Sequence, residues 1–359
     1  MNESMKVKAF AEKHSDLYTL FRDYFDHTQS NRGIQGKTFG ATSLDAKEKA
    51  INKAFCAELE NAVPRMGLDD AHYAVNPMVK AFADAMVDQM IDMILPETLL
   101  QSVGLIADIR FIDWGDSANF ELENNALFNV ARADYRQKNA IFQKLENTNA
   151  TLVPQPHQVS VISSLFNVMT GRDSIAKYIM KAVRSIESAM LGEAYTAFTT
   201  AVTAGSVPSA LKITNYTEKD VITLAEKVSA WNQGKKAVIV GTPVALKALL
   251  PSNSNYRYTL NDEFVKLGYI PTFNTYDVVP MEQIADYTST TYGLKLDDTK
   301  LFVVSPASDK IIKIVVGGTL SQTSGQFENA NLAQTGSIMK AWEVGAITNS
   351  IAGYSSTTA

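Results

Sequence analysis

The sequence predicts an α+β protein, and three observations carry that reading. The first hundred residues are patterned as helices, the chain switches to strand patterning after Val103, and short helices then alternate with strands behind one long helix. At 359 residues, with 46% hydrophobic and 20% charged side chains, the chain has room for a sizeable core and about two domains, and its composition is not that of a disordered protein.

Residues 1–102 form a helical region. Up to about residue 70 it reads as loosely organised: Phe10, Leu17, Leu20, Phe21, Tyr24 and Phe25 recur at helical spacing, and a glycine-rich break follows from Gly33 to Gly40. A small domain, a processed propeptide and an arm packed on a neighbour are the alternatives. A stronger helix begins with Asn76 as N-cap and Pro77 in the first position. Val79, Phe82, Met86, Met90 and Ile94 mark its apolar face, and Pro96 is expected to stop it.

Residues 103–209 open with Leu105 to Trp114 as strand and alternation at Phe120-Glu121-Leu122-Glu123. The return from Leu127 to Leu145 is polar and half-periodic, which makes Asp113 to Leu145 a long excursion. Strands follow at Thr151 to Pro156 and from Gln158, with Pro154 and Pro156 placing the first at a sheet edge. The longest helix starts after Gly171-Arg172-Asp173-Ser174, capped by Asp173 or Ser174. Ile175, Ile179, Ala182, Val183, Ile186, Ala189, Met190, Ala197 and Phe198 keep one face apolar to about Thr200, giving a rod roughly 35–40 Å long.

After an Ala/Gly/Ser-rich linker (Ala201 to Ser209), residues 210–331 read as an α/β unit. It has a helix at Val221 to Trp231, a buried strand at Lys236 to Gly241 and a short helix at Pro243 to Leu250. Further strands follow at Tyr276 to Pro280, Leu301 to Ser305 and Lys310 to Val316. Residues 332–359 hold a closing strand, Ser337 to Ile347, and a tail.

The chemistry-bearing residues form no recognisable site. His14, His27, His72 and His157 lack metal-ligand spacing, and no His-Glu-x-x-His, Cys-x-x-Cys or Gly-x-Ser-x-Gly pattern occurs. Gly36-Lys37-Thr38 looks like the end of a phosphate loop, but Asn31 stands where the first glycine is needed. Gly317-Gly318 reads as a turn requiring positive φ. Asp84, Asp88 and Asp92 share a helix face, read as solvated in preference to a cation site or a dock for a basic neighbour. Cys56, the single cysteine, reads as a small packed hydrophobe and excludes an internal disulfide. No catalytic, cofactor or metal residue is expected. A net charge of -5 does not suggest a dedicated nucleic-acid binder. No apolar run of signal-peptide length follows Met1, and Lys80, Asp84, Asp88 and Asp92 interrupt the most hydrophobic stretch, so cytoplasmic synthesis and no membrane span are expected.

The order of parts, from Val103 to Tyr354, resembles the major capsid proteins of tailed bacteriophages, a fold shared with encapsulins and the herpesvirus shell floor. Val238-Ile-Val-Gly-Thr-Pro-Val-Ala-Leu-Lys-Ala-Leu resembles a strand and short helix of that family's axial domain. Gly268-Tyr-Ile-Pro-Thr-Phe-Asn-Thr-Tyr-Asp-Val-Val-Pro resembles its strand pair after a glycine. The resemblance implies an N-terminal arm, an extended loop at 113–145, a peripheral domain with its spine helix at 173–200, and an axial domain at 210–331. The hundred residues before the first strand depart from the family pattern.

It further implies a shell protein that assembles with itself into pentamers and hexamers of an icosahedral or prolate capsid. Scaffold, portal and decoration proteins would be further partners, packaged double-stranded DNA would be touched weakly and without specificity, and the final location would be the virion, after synthesis in the bacterial cytoplasm. The candidate subunit interface is Trp114, Asp116, Phe120, Glu121, Glu123, Phe128, Arg132, Arg136 and Lys138. The outgoing half of the loop is acidic and the return basic, so opposite charges would face each other or a neighbour. The apolar residues of the loop have no evident partner in their own hairpin. Two alternatives remain: an encapsulin-type compartment, marked by a groove for a cargo peptide, and an α/β ligand-binding module or enzyme, marked by a pocket with convergent polar groups.

Overall fold

The computed structural model describes residues 5–30, 42–122, 127–128, 130, 143–144, 147–163, 165–203, 207–250, 268–286, 290–307, 309–323 and 334–357. The helices α1 (Met5–Lys13), α2 (Ser15–Ser30), α3 (Leu44–Ala62), α4 (Asp70–Val75) and α5 (Pro77–Val103) come first. Ser43 caps α3 and Asp69 caps α4 through their side-chain oxygens. This layer is not loosely organised. Phe10, Leu17, Phe21, Tyr24 and Phe25 join Ile51, Phe55 and Leu59 in the main core of their own chain. Buried Glu48 accepts from Tyr24 Oη at 3.1 Å and pairs with Lys177 of the spine helix at 2.9 Å.

In α5 the expected cap is present, Asn76 accepting from the Met78 amide. Pro96 does not stop the helix, which runs to Val103 with the proline inside. An interior proline costs about 3 kcal/mol. Ile94, Leu95, Leu99 and Val103 are all buried around it, and at roughly 1.5–3 kcal/mol per buried aliphatic side chain they outweigh that cost.

The strands are β1 (Ala107–Phe111), β2 (Ala118–Leu122), β3 (Thr148–Leu152) and β4 (Gln155–Ser163), followed by α6 (Leu165–Met169) and the spine helix α7 (Ile175–Thr203). Ser174 caps α7, its Oγ accepting from the Lys177 amide, and the expected face is buried from Ile175 to Phe198, with Ala189 and Ala197 partly so. The rest of the chain forms β5 (Lys212–Ile213), α8 (Glu218–Trp231), β6 (Val238–Gly241), α9 (Pro243–Leu246), β7 (Thr272–Phe273), β8 (Tyr276–Pro280), β9 (Lys300–Val304), β10 (Ile312–Thr323), β11 (Gln334–Ala346) and β12 (Gly353–Ser356).

Two larger sheets result. One has the order β1-β10-β11-β4, with β4 and its Pro156 at an edge; the other has the order β5-β12-β9-β6-β8-β7. This corrects the expected boundary near residue 331. The strand expected over Lys310 to Val316 does not belong to the α/β unit; as β10 it pairs with β1 and β11 in the four-stranded sheet. The C-terminal tail returns instead, as β12, between β5 and β9. The spine helix lies where both sheets meet, with Phe198 and Phe302 of β9 in edge contact at 4.9 Å. The other face of the six-stranded sheet is covered by α8 and α9, through Val221, Leu224, Val228 and Leu246.

β10 carries a bulge between Val316 and Thr319, opposite Trp342 and Lys340 of β11. Before it, Ile312, Ile314 and Val316 face the core shared with α5 and α7; beyond it, Thr319 and Ser321 bond to Asp92 and Asp88 of α5. Gly317-Gly318 is therefore not a positive-φ turn. A Cβ on Gly317 would meet the Ala341 Cβ at 2.9 Å, and one on Gly318 would meet the Trp114 indole at 2.5 Å. Close approach demands these glycines.

Candidate subunit-interface site

The excursion starts from a stem whose partners lie in its own chain. β2 alternates in and out as its sequence dictates, with Ala118, Phe120 and Leu122 buried and Asn119 and Glu121 exposed. It pairs with β3 from Ala118↔Leu152 to Leu122↔Thr148. Phe120 packs against Val315 of β10, and the Arg110 guanidinium sits 4.2 Å over its ring while donating to Asn119 O at 2.6 Å. Phe120, at 1% exposure, is thus unavailable to a neighbour, a correction to its place in the expected interface. The expectation that Phe120 and Leu122 lack partners is corrected likewise.

Trp114, half exposed, lays its indole across Gly318. Asp116 closes an exposed turn, its amide donating to Asp113 O at 3.3 Å. Glu121 accepts from Asn147 Nδ2 at 2.9 Å and lies opposite Asn149 in register. The expected acid-base ladder is therefore not built at the stem, because β2 faces the uncharged Thr148–Leu152. Glu123, Arg132, Arg136 and Lys138 lie outside the described residues, as does Gly36-Lys37-Thr38. Beyond the stem, Leu127, Phe128 and Val130 are 80%, 57% and 92% exposed.

The sequence reads the carboxylates of α5 as solvated, but Asp88 and Asp92 are bonded to the β10–β11 ribbon. Asp92 accepts from Lys340 Nζ at 2.6 Å and from Thr319 Oγ, and Asp88 accepts from Ser321 Oγ. Burial pushes the Asp88 carboxyl up to about 6, against the lowering effect of the Ser321 hydrogen bonds. Burial likewise raises the Cys56 thiol to about 11, which keeps it protonated and unreactive near neutrality. His14 bonds Glu58, His72 bonds Asp69, and His157 stacks on Trp342 at 3.6 Å. Among the described residues no three or more His, Cys, Asp or Glu side chains cluster to hold a metal ion, and no helix is long and apolar enough to cross a membrane.

Sequence reasoning missed a cleft of about 640 Å3 between α3, α5, the start of α7 and the far end of the β10–β11 ribbon. Nothing local announces it, because its lining comes from six elements far apart in the chain. The α/β unit itself offers an open groove near Ala210 and Asp220, in which Lys212 and Lys227 already donate to Thr203 O and Ala210 O.

No protein-family model and no curated protein matches this sequence. Solved structures do match. The capsid of a native GTA particle aligns with a TM-score of 0.50 at 10% identity, over 72% of this chain and 90% of that one. The mature capsid of bacteriophage PhiM1 aligns at 0.43 and 13% identity, over 70% and 85%, and a virus-like particle from Pyrococcus furiosus at 0.42 and 9%, over 73% and 96%. The chain shares the α+β fold of the GTA particle's capsid.

Proposed function

We propose that this chain is a structural protein that assembles with itself into the closed shell, icosahedral or prolate, that encloses a phage genome. One observation carries the reading. A capsid-fold subunit satisfies the stem of its long excursion internally and then presents Leu127, Phe128 and Val130 to solvent. An isolated two-stranded hairpin is marginal in water, and clustered exposed apolar side chains mark an interaction surface. Those residues, with Trp114, Asp116, Glu121, Glu123, Arg132, Arg136 and Lys138, form the strap by which one copy holds the next.

The work is assembly and not catalysis, and pentamers and hexamers are its units. Scaffold, portal and decoration proteins are further partners, and packaged DNA is touched weakly and without sequence preference, in keeping with the net charge of -5. Synthesis is cytoplasmic and the final location is the virion. Light scattering and negative-stain microscopy of the purified chain test the proposal: megadalton closed particles, or capsomers converting to them, are expected. A strict monomer at high concentration and moderate salt overturns it.

A further inference from the structure

We propose that the end of the β10–β11 ribbon is a proton-controlled clasp on α5, closed while the Asp88 carboxyl carries its proton and loosened when it is ionised. The device lies within one copy and is built from a hinge, a polar seam and an adjoining cavity. The hinge is the bulge. Val316 faces Trp342 and Thr319 faces Lys340, so Gly317 and Gly318 stand against Ala341 alone and the pairing of β10 with β11 is interrupted. Up to the bulge, Ile312, Ile314 and Val316 are held in the apolar core with α5 and α7. Past it, β10 meets α5 through the hydroxyls of Thr319 and Ser321, and apolar packing is left to Ile338 of β11 and Val159 of β4.

The seam is short of positive charge. Asp84, Asp88 and Asp92 follow one another at four-residue spacing on α5. From β11, Lys340 reaches Asp92 at 2.6 Å and the Thr319 hydroxyl at 3.0 Å. Lys80 lies one turn before Asp84 and interacts with it. His157 of β4, opposite Lys340 in register, turns instead to Trp342 and to Glu193 of α7. Across the cleft, Glu48 of α3 pairs with Lys177 of α7, and Lys49 and Lys181 stand exposed. Asp88 thus sits between two further carboxylates with Ser321 as its partner. Burial, helped by Asp92 and Asp84, holds its carboxyl at about 6 against the Ser321 hydrogen bonds. The folded-state value lies above the ordinary one, so the contact is tightest in acid and weakens as pH rises through about 6. The cleft gives water its route to the seam, since Asp84, Ser321, Gly336, Ser337 and Ile338 all line it. A ribbon end that loosens moves one wall of that cleft.

Hydrogen exchange of the full-length chain, read by mass spectrometry and corrected for the intrinsic effect of pH, tests the clasp. Peptides covering residues 319–323 and 334–340 are expected to lose about tenfold or more of their protection between about pH 5 and pH 7.5, with residues 312–316 unchanged. Asp88→Asn puts a neutral group of similar shape at the seam and should keep the ribbon end protected at both pH values. His157→Gln should behave as wild type. As a variant that leaves the carboxylate in place, Ser321→Ala should lower protection in acid toward its neutral-pH level. Wild-type protection that ignores pH, or that falls equally across residues 312–316, overturns the clasp. A pH response kept in Asp88→Asn, lost in His157→Gln, or accompanied by full acid protection in Ser321→Ala overturns it as well.

Discussion

Along the N-terminal helical layer Phe10, Leu17, Phe21, Phe25, Ile51, Phe55 and Leu59 are each at most 2% exposed, whereas Leu127, Phe128 and Val130 of the strap are more than half exposed. Both regions are long, and both lie outside the two main sheets. What separates them is where their apolar side chains find company. In α1 to α3 the aromatic stripes meet α5 and α7 of the same chain, so the layer is part of the subunit's own stability. In the strap, Leu122 is buried and the next described apolar side chains, Leu127, Phe128 and Val130, are exposed. A layer that closes its own accounts is structure, and a segment that leaves apolar surface unmatched is an instrument of contact.

Substitutions at one aromatic in each region give the widest expected contrast. Phe21→Asp places a carboxylate in the core and should unfold the subunit, at a cost of about 4 kcal/mol or more. Phe128→Asp should leave the thermal melt of the unassembled subunit within about 0.5 kcal/mol of wild type while particles fail to form. Comparable melting losses for the two would erase the distinction between the regions.

Excising residues 124–146 and closing β2 to β3 with a short Gly/Ser turn carries the same contrast to the whole strap. The register already brings Leu122 opposite Thr148, so the stem survives. Far-UV dichroism and the melt are expected to stay near wild type while sedimentation shows no shells. Normal shells from the shortened chain would remove the strap from assembly. Within the stem, Phe120→Ala should lower subunit stability by about 3 kcal/mol, because its ring fills a site between Val315 and Arg110. A purely assembly-level defect there would move Phe120 back to the intersubunit surface.

A smaller effect is expected in the helical layer's contact with the ribbon. Asp88 is held at about 6 in the folded chain, above the usual carboxylate value of 3.8. A raised acid favours the folded state while protonated, so this contribution is present at low pH and lost as pH rises from about 4 through 6. Over that window Asp88 should remove roughly 2–3 kcal/mol of stability. Asp88→Asn should flatten the corresponding part of the pH–stability curve, measured by urea midpoints. A wild-type slope retained in the variant would assign it to another group.

The parts legible in the sequence are those with local signals. Asn76-Pro77 announced α5, and Ser174 with the Ile175-to-Phe198 stripe announced α7, because caps and 3.6-residue periodicity are written in adjacent residues. Alternation at 118–122 showed which side of β2 turns inward, but not that Val315, almost two hundred positions away, lies beneath it. Sheet membership was illegible for the same reason. Ile312 to Val316 and Leu301 to Val304 are both short runs rich in apolar residues, and only pairing decides that they enter different sheets. Pro96 misled because its local penalty was visible and the burial of Leu95, Leu99 and Val103 that offsets it was not. The cleft was unreadable, since no one segment contributes more than a fraction of its lining.

The extra residue in β10 acts as a phase shifter for the ribbon. Strand faces repeat every two residues, so the count between Val316 and Thr319 decides which side chains meet α5 for the rest of the strand. Deleting one glycine would leave a single residue between Val316 and Thr319, and a regular strand would keep both on the α5 side. Straightening the bulge with both glycines in place would instead turn the distal half over. Leu320, now 47% exposed, would face the polar row of α5, and Thr319 and Ser321 would point away from it. Lys340 would keep Asp92 but lose the hydroxyl that now accepts its second hydrogen bond at 3.0 Å. A change that flattens the strand at this pair of glycines would thus read as a lesion of the helix contact some distance away, in the manner of a slipped tooth in a zip.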